Sequence, residues 1–296
     1  MWDQLLQEIK QGNIKSLART ISLVENEYEG YFNLLQQLPQ SPSKIIGITG
    51  PPGAGKSTIT DALIAEIVSR KKKVGVLCVD PSSPFNFGAL LGDRIRMSEW
   101  YNHPDVFIRS LASRGSLGGL HPKIIEISDI MKAAVFDYII IETVGVGQSE
   151  VEIAGLAHTT VVVVVPEAGD EVQTMKAGLM EIADIFVVNK ADRPDADQFV
   201  RNLRWMLMPS TKEIMAEIPV IKTIASQKVG IGELFEKIVE HLALVDSTER
   251  KFLLLAERAY HLIQQYRMKN ISKAALKQQI QENTAFNLYQ FIQQYI

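Results

Sequence analysis

Gly50, Pro51, Pro52, Gly53, Ala54, Gly55, Lys56 and Ser57 fit the pattern G-x-x-x-x-G-K-[ST] at every fixed position. Such a run does one kind of chemistry. Its glycines let the backbone curl until successive N–H groups point inward at an anion. Lys56 is placed to reach the β and γ phosphates of a nucleoside triphosphate, and the Ser57 hydroxyl to coordinate Mg²⁺ bridging the phosphate oxygens. An apolar run, Ile45–Thr49, precedes the loop, and a helical segment, Thr58–Arg70, follows it. The helix adds its N-terminal partial positive charge to the phosphate field.

A second cluster, Asn189-Lys190-Ala191-Asp192, follows another apolar run and fits the N-K-x-D element of GTP binders. The Asp192 carboxylate can accept two hydrogen bonds, from the guanine ring N–H and its exocyclic amine. Adenine offers no such donor pair on that edge, so the wrong base leaves polar groups unpaired. The Lys190 stem can lie over the base. Ala225 and Ser226, after a further apolar run, form a candidate base-contacting loop.

The remaining candidates concern the γ-phosphate. Glu142, at the end of an apolar run, can hold a Mg²⁺ shell through water; many GTPases carry Asp there. The Gly145 N–H, three residues on, can sense the γ-phosphate and move when it leaves. Asp80 closes the run Val74–Val79, and Asp93 fits either a Mg²⁺ shell or a helix N-cap. Gln148 is a candidate for positioning the attacking water. Arg94, Arg96, Arg109 and Arg114 are candidate transition-state cations that the sequence does not rank. His103, His121 and His158 stand apart from one another and read as structural, and Cys78 lies in an apolar run as a small core residue.

These residues need elements to position them. Candidate strands are Ile45–Thr49, Val74–Val79, Val106–Ser110, Tyr138–Glu142, Thr160–Val165, Ile185–Asn189 and Pro219–Ile224. Most are continuous apolar runs, as expected of strands buried on both faces. Helical segments alternate with them, which predicts an α/β fold: a P-loop NTPase three-layer sandwich around a mostly parallel sheet. Residues 1–42 read as an N-terminal helical segment and 43–245 as the GTP-binding domain. Residues 246–296 read as a C-terminal helical segment rich in large apolar groups near its end, including Phe286, Leu288 and Tyr289. That much apolar surface packs on the main domain or on another chain.

Composition narrows the function classes. The chain has 296 residues, with 31 Lys and Arg against 34 Asp and Glu, a net charge of −3 that gives no electrostatic case for nucleic acid. One cysteine permits neither an intrachain disulfide nor a cysteine-built zinc cage. The N-terminus lacks a signal-peptide pattern and the apolar runs are far shorter than the roughly 20 residues of a membrane span. A cytoplasmic protein without membrane attachment is expected.

Taken together the motifs resemble the MeaB/ArgK GTPases, of the SIMIBI class of P-loop NTPases, which include the methylmalonic aciduria type A protein. The resemblance rests on Ser16 to Glu25, Gly47 to Thr58, Val79 to Ser83, Leu91 to Met97, Gly115 to Gly119, Ile141 to Val151 and Val188 to Asp192. It implies a GTPase that gates or protects an adenosylcobalamin-dependent acyl-CoA mutase, chiefly methylmalonyl-CoA mutase, and a homodimer formed through a C-terminal helical arm. It also implies Mg²⁺ or switch roles for Asp80, Asp93, Glu142 and Gln148. Two stretches depart from the family pattern: Phe85 to Leu91, where relatives tend to have small residues, and Arg109 to Arg114, which replaces a proline-containing stretch. Two other readings share the motifs. One is a metallochaperone GTPase for another metalloenzyme; the other is an ArgK-type ATPase or kinase linked to lysine, arginine and ornithine transport.

Overall fold

The computed structural model describes residues 1–80, 97–113, 120–143, 145, 152–168, 177–208, 218–245, 250–282 and 286–295. Seven strands form one sheet: β1 (Lys44–Thr49), β2 (Val74–Asp80), β3 (Val106–Ala112), β4 (Tyr138–Glu142), β5 (Thr159–Val164), β6 (Ile185–Val188) and β7 (Val220–Lys222). Their order is β3-β2-β4-β1-β5-β6-β7, and every pairing is parallel. Parallel strands need crossovers, and crossovers carry helices onto both faces, so the strands are apolar on both sides. All six residues of β5 are buried.

One face of the sheet is covered by α4 (Lys56–Ser69) and α8 (Ile231–Val245). Ile59, Leu63 and Ile67 of α4 and Leu234, Phe235 and Ile238 of α8 join Ile46, Ile48, Val76, Ile140, Val161 and Val163 in one core. On the other face α6 (Ala177–Ile182) and α7 (Ala196–Leu207) cover β5 and β6, with Phe199 and Leu203 on Val162, Val164 and Phe186. There, too, α5 (Ile124–Ala133) meets three N-terminal helices, α1 (Trp2–Lys10), α2 (Ile14–Glu25) and α3 (Tyr31–Gln36). At helical spacing, Leu5, Leu6 and Ile9 of α1 and Leu17, Ile21 and Val24 of α2 are buried. Asn13 caps α2, its Oδ1 accepting from the N–H groups of Lys15 and Ser16 at 3.0 and 3.2 Å.

The chain divides into two compact units, Met1–Lys251 and Phe252–Ile296. Within the second are most of α9 (Arg250–Met268), then α10 (Lys273–Glu282) and α11 (Leu288–Ile292). Phe291 lies between Phe286 and Tyr295, with ring centroids 5.5 and 5.6 Å away.

Because all strands run one way, the carboxyl ends of β1, β2, β4, β6 and β7 share one sheet edge. The chain's path turns back beside β1, which has β4 on one side and β5 on the other. Open α/β sheets place ligands at such a switch point, and the Gly50 loop leaves β1 there.

Candidate nucleotide site

The loop after β1 can be built only with glycine at its bends. Gly50 has φ +138°, and a Cβ there would fall 2.1 Å from the Val163 carbonyl oxygen. Gly55 has φ +92° and would collide with the Asn189 amide at 2.4 Å. Ala54 is wholly buried. Helix α4 begins at Lys56, two residues before the expected start, so both Lys56 and Ser57 lie on its first turn. The Lys56 ammonium lies inside the curl, donating to the carbonyls of Gly50 and Pro51 at 2.9 and 3.1 Å. Gly145, at φ +83°, closes over it: a Cβ would sit 2.4 Å from Nζ and 2.2 Å from the Gly50 oxygen.

Glu142 ends β4 and is 4% exposed. Its Oε1 accepts from the Ser57 hydroxyl at 2.6 Å and its Oε2 from the Thr60 hydroxyl at 2.8 Å. Behind it the hydroxyls of Thr49 and Thr143 meet at 2.8 Å. Asp80, also buried, ends the neighbouring strand β2, in which Cys78 stands opposite Glu142. The Ser57 hydroxyl and the two carboxylates, Glu142 and Asp80 at the ends of adjacent strands, offer only oxygen donors. Mg²⁺ is held by one or two carboxylates plus substrate phosphates rather than by a protein cage, so these residues fit it. Asp93 and Gln148 lie outside the described residues, as do Arg94, Arg96, Arg114 and the Phe85 to Leu91 stretch.

Arg109 is not a phosphate-facing cation. It lies within β3, and its guanidinium turns to α2, pairing with Glu25 and donating to Ser22 Oγ at 3.0 Å. The three histidines serve the backbone as expected: Nδ1 of His103, His121 and His158 accepts from the N–H of Asp105, Lys123 and Ile45 respectively.

At the other end of the loop, strand β6 stops at Val188, one residue earlier than expected, and Asn189 turns inward. Its amide N–H donates to the Ala54 carbonyl at 3.0 Å, while its Oδ1 accepts from Thr223 Oγ1 at 3.1 Å and from the Ala225 N–H at 3.2 Å. One buried side chain thus joins the phosphate loop, the end of β6 and the turn after β7. Lys190, at φ +55°, donates to the Gly53 carbonyl at 2.8 Å. Beside it opens a cleft of about 250 Å³, lined by Thr58, Lys190, Asp192, Arg193, Ala225 and Ser226 among others. The structure therefore brings Asp192, Ala225 and Ser226 together around one cavity next to the loop.

Three residues of this region are not evident from the sequence. Arg193 lines the cleft and pairs with Glu167, whose carboxyl its hydrogen bond holds below the usual range. Thr60 and Thr223 are fully buried and bond Glu142 and Asn189.

Fold and loop define a P-loop NTPase. Residues 17–283 match the family described as methylmalonyl-CoA mutase-associated GTPase MeaB. A GTPase of Pyrococcus abyssi is 48% identical over 84% of this chain and 79% of its own length. A fused isobutyryl-CoA mutase of Geobacillus kaustophilus is 35% identical over 83% of this chain, which corresponds to 24% of that protein. The crystal structure of a LAO/AO transport system kinase superposes with a TM-score of 0.73 at 25% identity, covering 99% of this chain and 96% of that one. The chain belongs to the MeaB family and is a GTPase. Among the described residues no helix is long and apolar enough to cross a membrane.

Proposed function

We propose that this GTPase gates or protects an adenosylcobalamin-dependent acyl-CoA mutase, such as methylmalonyl-CoA mutase, converting GTP to GDP and phosphate as it does so. The observation that carries the reading is the fused relative: a segment similar to 83% of this chain occurs within one polypeptide with a mutase. The family's description points the same way.

In this reading the loop N–H groups from Gly53 to Ser57 and the Lys56 ammonium bind the phosphates and stabilise charge that develops on the leaving group. Lys56 exchanges its carbonyl partners, Gly50 and Pro51, for phosphate oxygens. Ser57, Asp80, Asp93 and Glu142 would hold Mg²⁺, which would supply neutralisation of phosphate charge. Gly145 lies against Lys56, so its N–H reads whether the γ-phosphate is there. Gln148 orients water. Asp192 reads guanine, with Ala225 and Ser226 on the base's far edge and the Lys190 stem on its face.

The test is turnover of GTP by the purified protein, with ATP as control, with and without an acyl-CoA mutase from the same organism. Hydrolysis of GTP but not ATP, accelerated by the mutase, supports the reading. A mutase that neither binds nor changes the rate overturns the partner while leaving the GTPase. A preference for ATP would restore the kinase reading suggested by the similarity to the LAO/AO transport system kinase.

A further inference from the structure

Ser57 and Thr60 stand three residues apart on α4, and so on one side of the helix. They grip the two oxygens of one buried carboxylate, Glu142, at 2.6 and 2.8 Å. Ser57 belongs to the phosphate loop. Thr60 lies outside the motif, and nothing in the reaction outlined above uses it. It is fully buried, where a hydroxyl acts only through the bonds it makes.

Thr60 has one hydrogen and two acceptors within reach, Glu142 Oε2 at 2.8 Å and the Lys56 carbonyl at 3.0 Å. The shorter contact is to an ionised group, and charge-assisted hydrogen bonds are the stronger ones. The proton therefore goes to Glu142. A carboxylate held at one oxygen can still turn about its last side-chain bond; held at both, it cannot. With Oε1 fixed as acceptor, the Ser57 hydroxyl keeps donating to Glu142, and that fixes the direction in which its oxygen faces.

We propose that Thr60 is a positioning residue: by holding the second oxygen of Glu142 it fixes how Ser57 presents its lone pairs, and so sets how tightly the site holds a divalent cation beside the nucleotide. The inference rests on the reading of Ser57 as the Mg²⁺ ligand. Outer partners of this kind change metal affinity by about 10–100-fold.

The variants are Thr60→Val, which keeps the side chain's shape without the hydroxyl, and Thr60→Ser, which keeps the hydroxyl. The full chain is loaded with a fluorescent N-methylanthraniloyl GDP, and its release is followed across a Mg²⁺ titration and in excess EDTA. Melting of the nucleotide-free protein is measured alongside. The expected result is a Mg²⁺ midpoint raised about tenfold or more in Thr60→Val, near wild type in Thr60→Ser, with equal release rates in EDTA. A Thr60→Val midpoint within about twofold of wild type overturns the proposal. So does faster release in EDTA with an unchanged midpoint, which would make Thr60 a packing residue. If wild-type release is insensitive to Mg²⁺, the assignment of Ser57 fails instead. Should Val prevent folding, Thr60→Ala makes the same comparison.

Discussion

In the proposed reading the two ends of the site depend on single charges of different kinds. Lys56 is buried within the loop and already bonded to two carbonyls. Replacing it by Ala should lower GTP turnover by about 10²–10³-fold, the cost of deleting one preorganised donor to a developing charge. Steady-state phosphate release checks this, and near-normal turnover would remove Lys56 from the phosphates. Asp192→Asn should act on the base instead. An amide cannot accept both guanine donors, so GTP affinity should fall by about 3 kcal/mol, roughly two orders of magnitude. Xanthine nucleotide, with a carbonyl where guanine has its amine, should gain. Competition binding with the two nucleotides decides it, and unchanged GTP affinity would refute the guanine assignment. Lys56 was legible in the sequence because its motif records backbone demands: Gly50 and Gly55 sit at φ +138° and +92°, where other side chains collide. Thr60 and Arg193 were not legible, because their roles come from contacts with Glu142 and Glu167, 82 and 26 residues away.

Elements meet at Asn189. Its side chain carries three bonds between the loop after β1, the end of β6 and the turn after β7. Asn189→Ala should leave the Ala54 carbonyl, the Thr223 hydroxyl and the Ala225 N–H short of partners, at a cost of about 2–4 kcal/mol in stability. Because it loosens position rather than base reading, nucleotide affinity should drop for guanine and xanthine forms alike, unlike the Asp192 variant. Denaturant unfolding and the same competition assay separate the two effects. A stability change below about 0.5 kcal/mol would show that the three elements hold their places without it. Element positions were largely readable: all seven expected strands exist, since strands buried on both faces read as short continuous apolar runs. Their ends were not. The last expected strand, Pro219–Ile224, is only Val220–Lys222, because Thr223 turns its hydroxyl to Asn189 and Ile224 pairs antiparallel with Val229. Conversely, β2 and β3 run further than expected, to Asp80 and Ala112, which pair with each other.

At the scale of the whole molecule the C-terminal unit poses a separate physical problem. Along α9, Phe252, Leu255, Ala259, Ile263 and Tyr266 follow one another at intervals of three or four residues, so they share a face, and all are exposed. Phe252 is 71% and Ile263 54% exposed. A stripe of this spacing is the seam of a helix pair, with each side chain entering a gap on the partner helix. A second copy of the chain supplies the matching stripe by symmetry, which is the usual route to an oligomer. We therefore expect a homodimer, and Ile263→Glu should break it by placing an unpaired charge in the seam. Sedimentation velocity at micromolar concentration checks both points. Wild type should run as a dimer and the variant as a monomer with its GTP affinity retained, because Ile263 and the nucleotide loop belong to different compact units. A wild-type monomer across that range would show that the stripe does not join two copies; the mutase would then be the next occupant to test. A variant that stays dimeric would put the contact elsewhere in the chain.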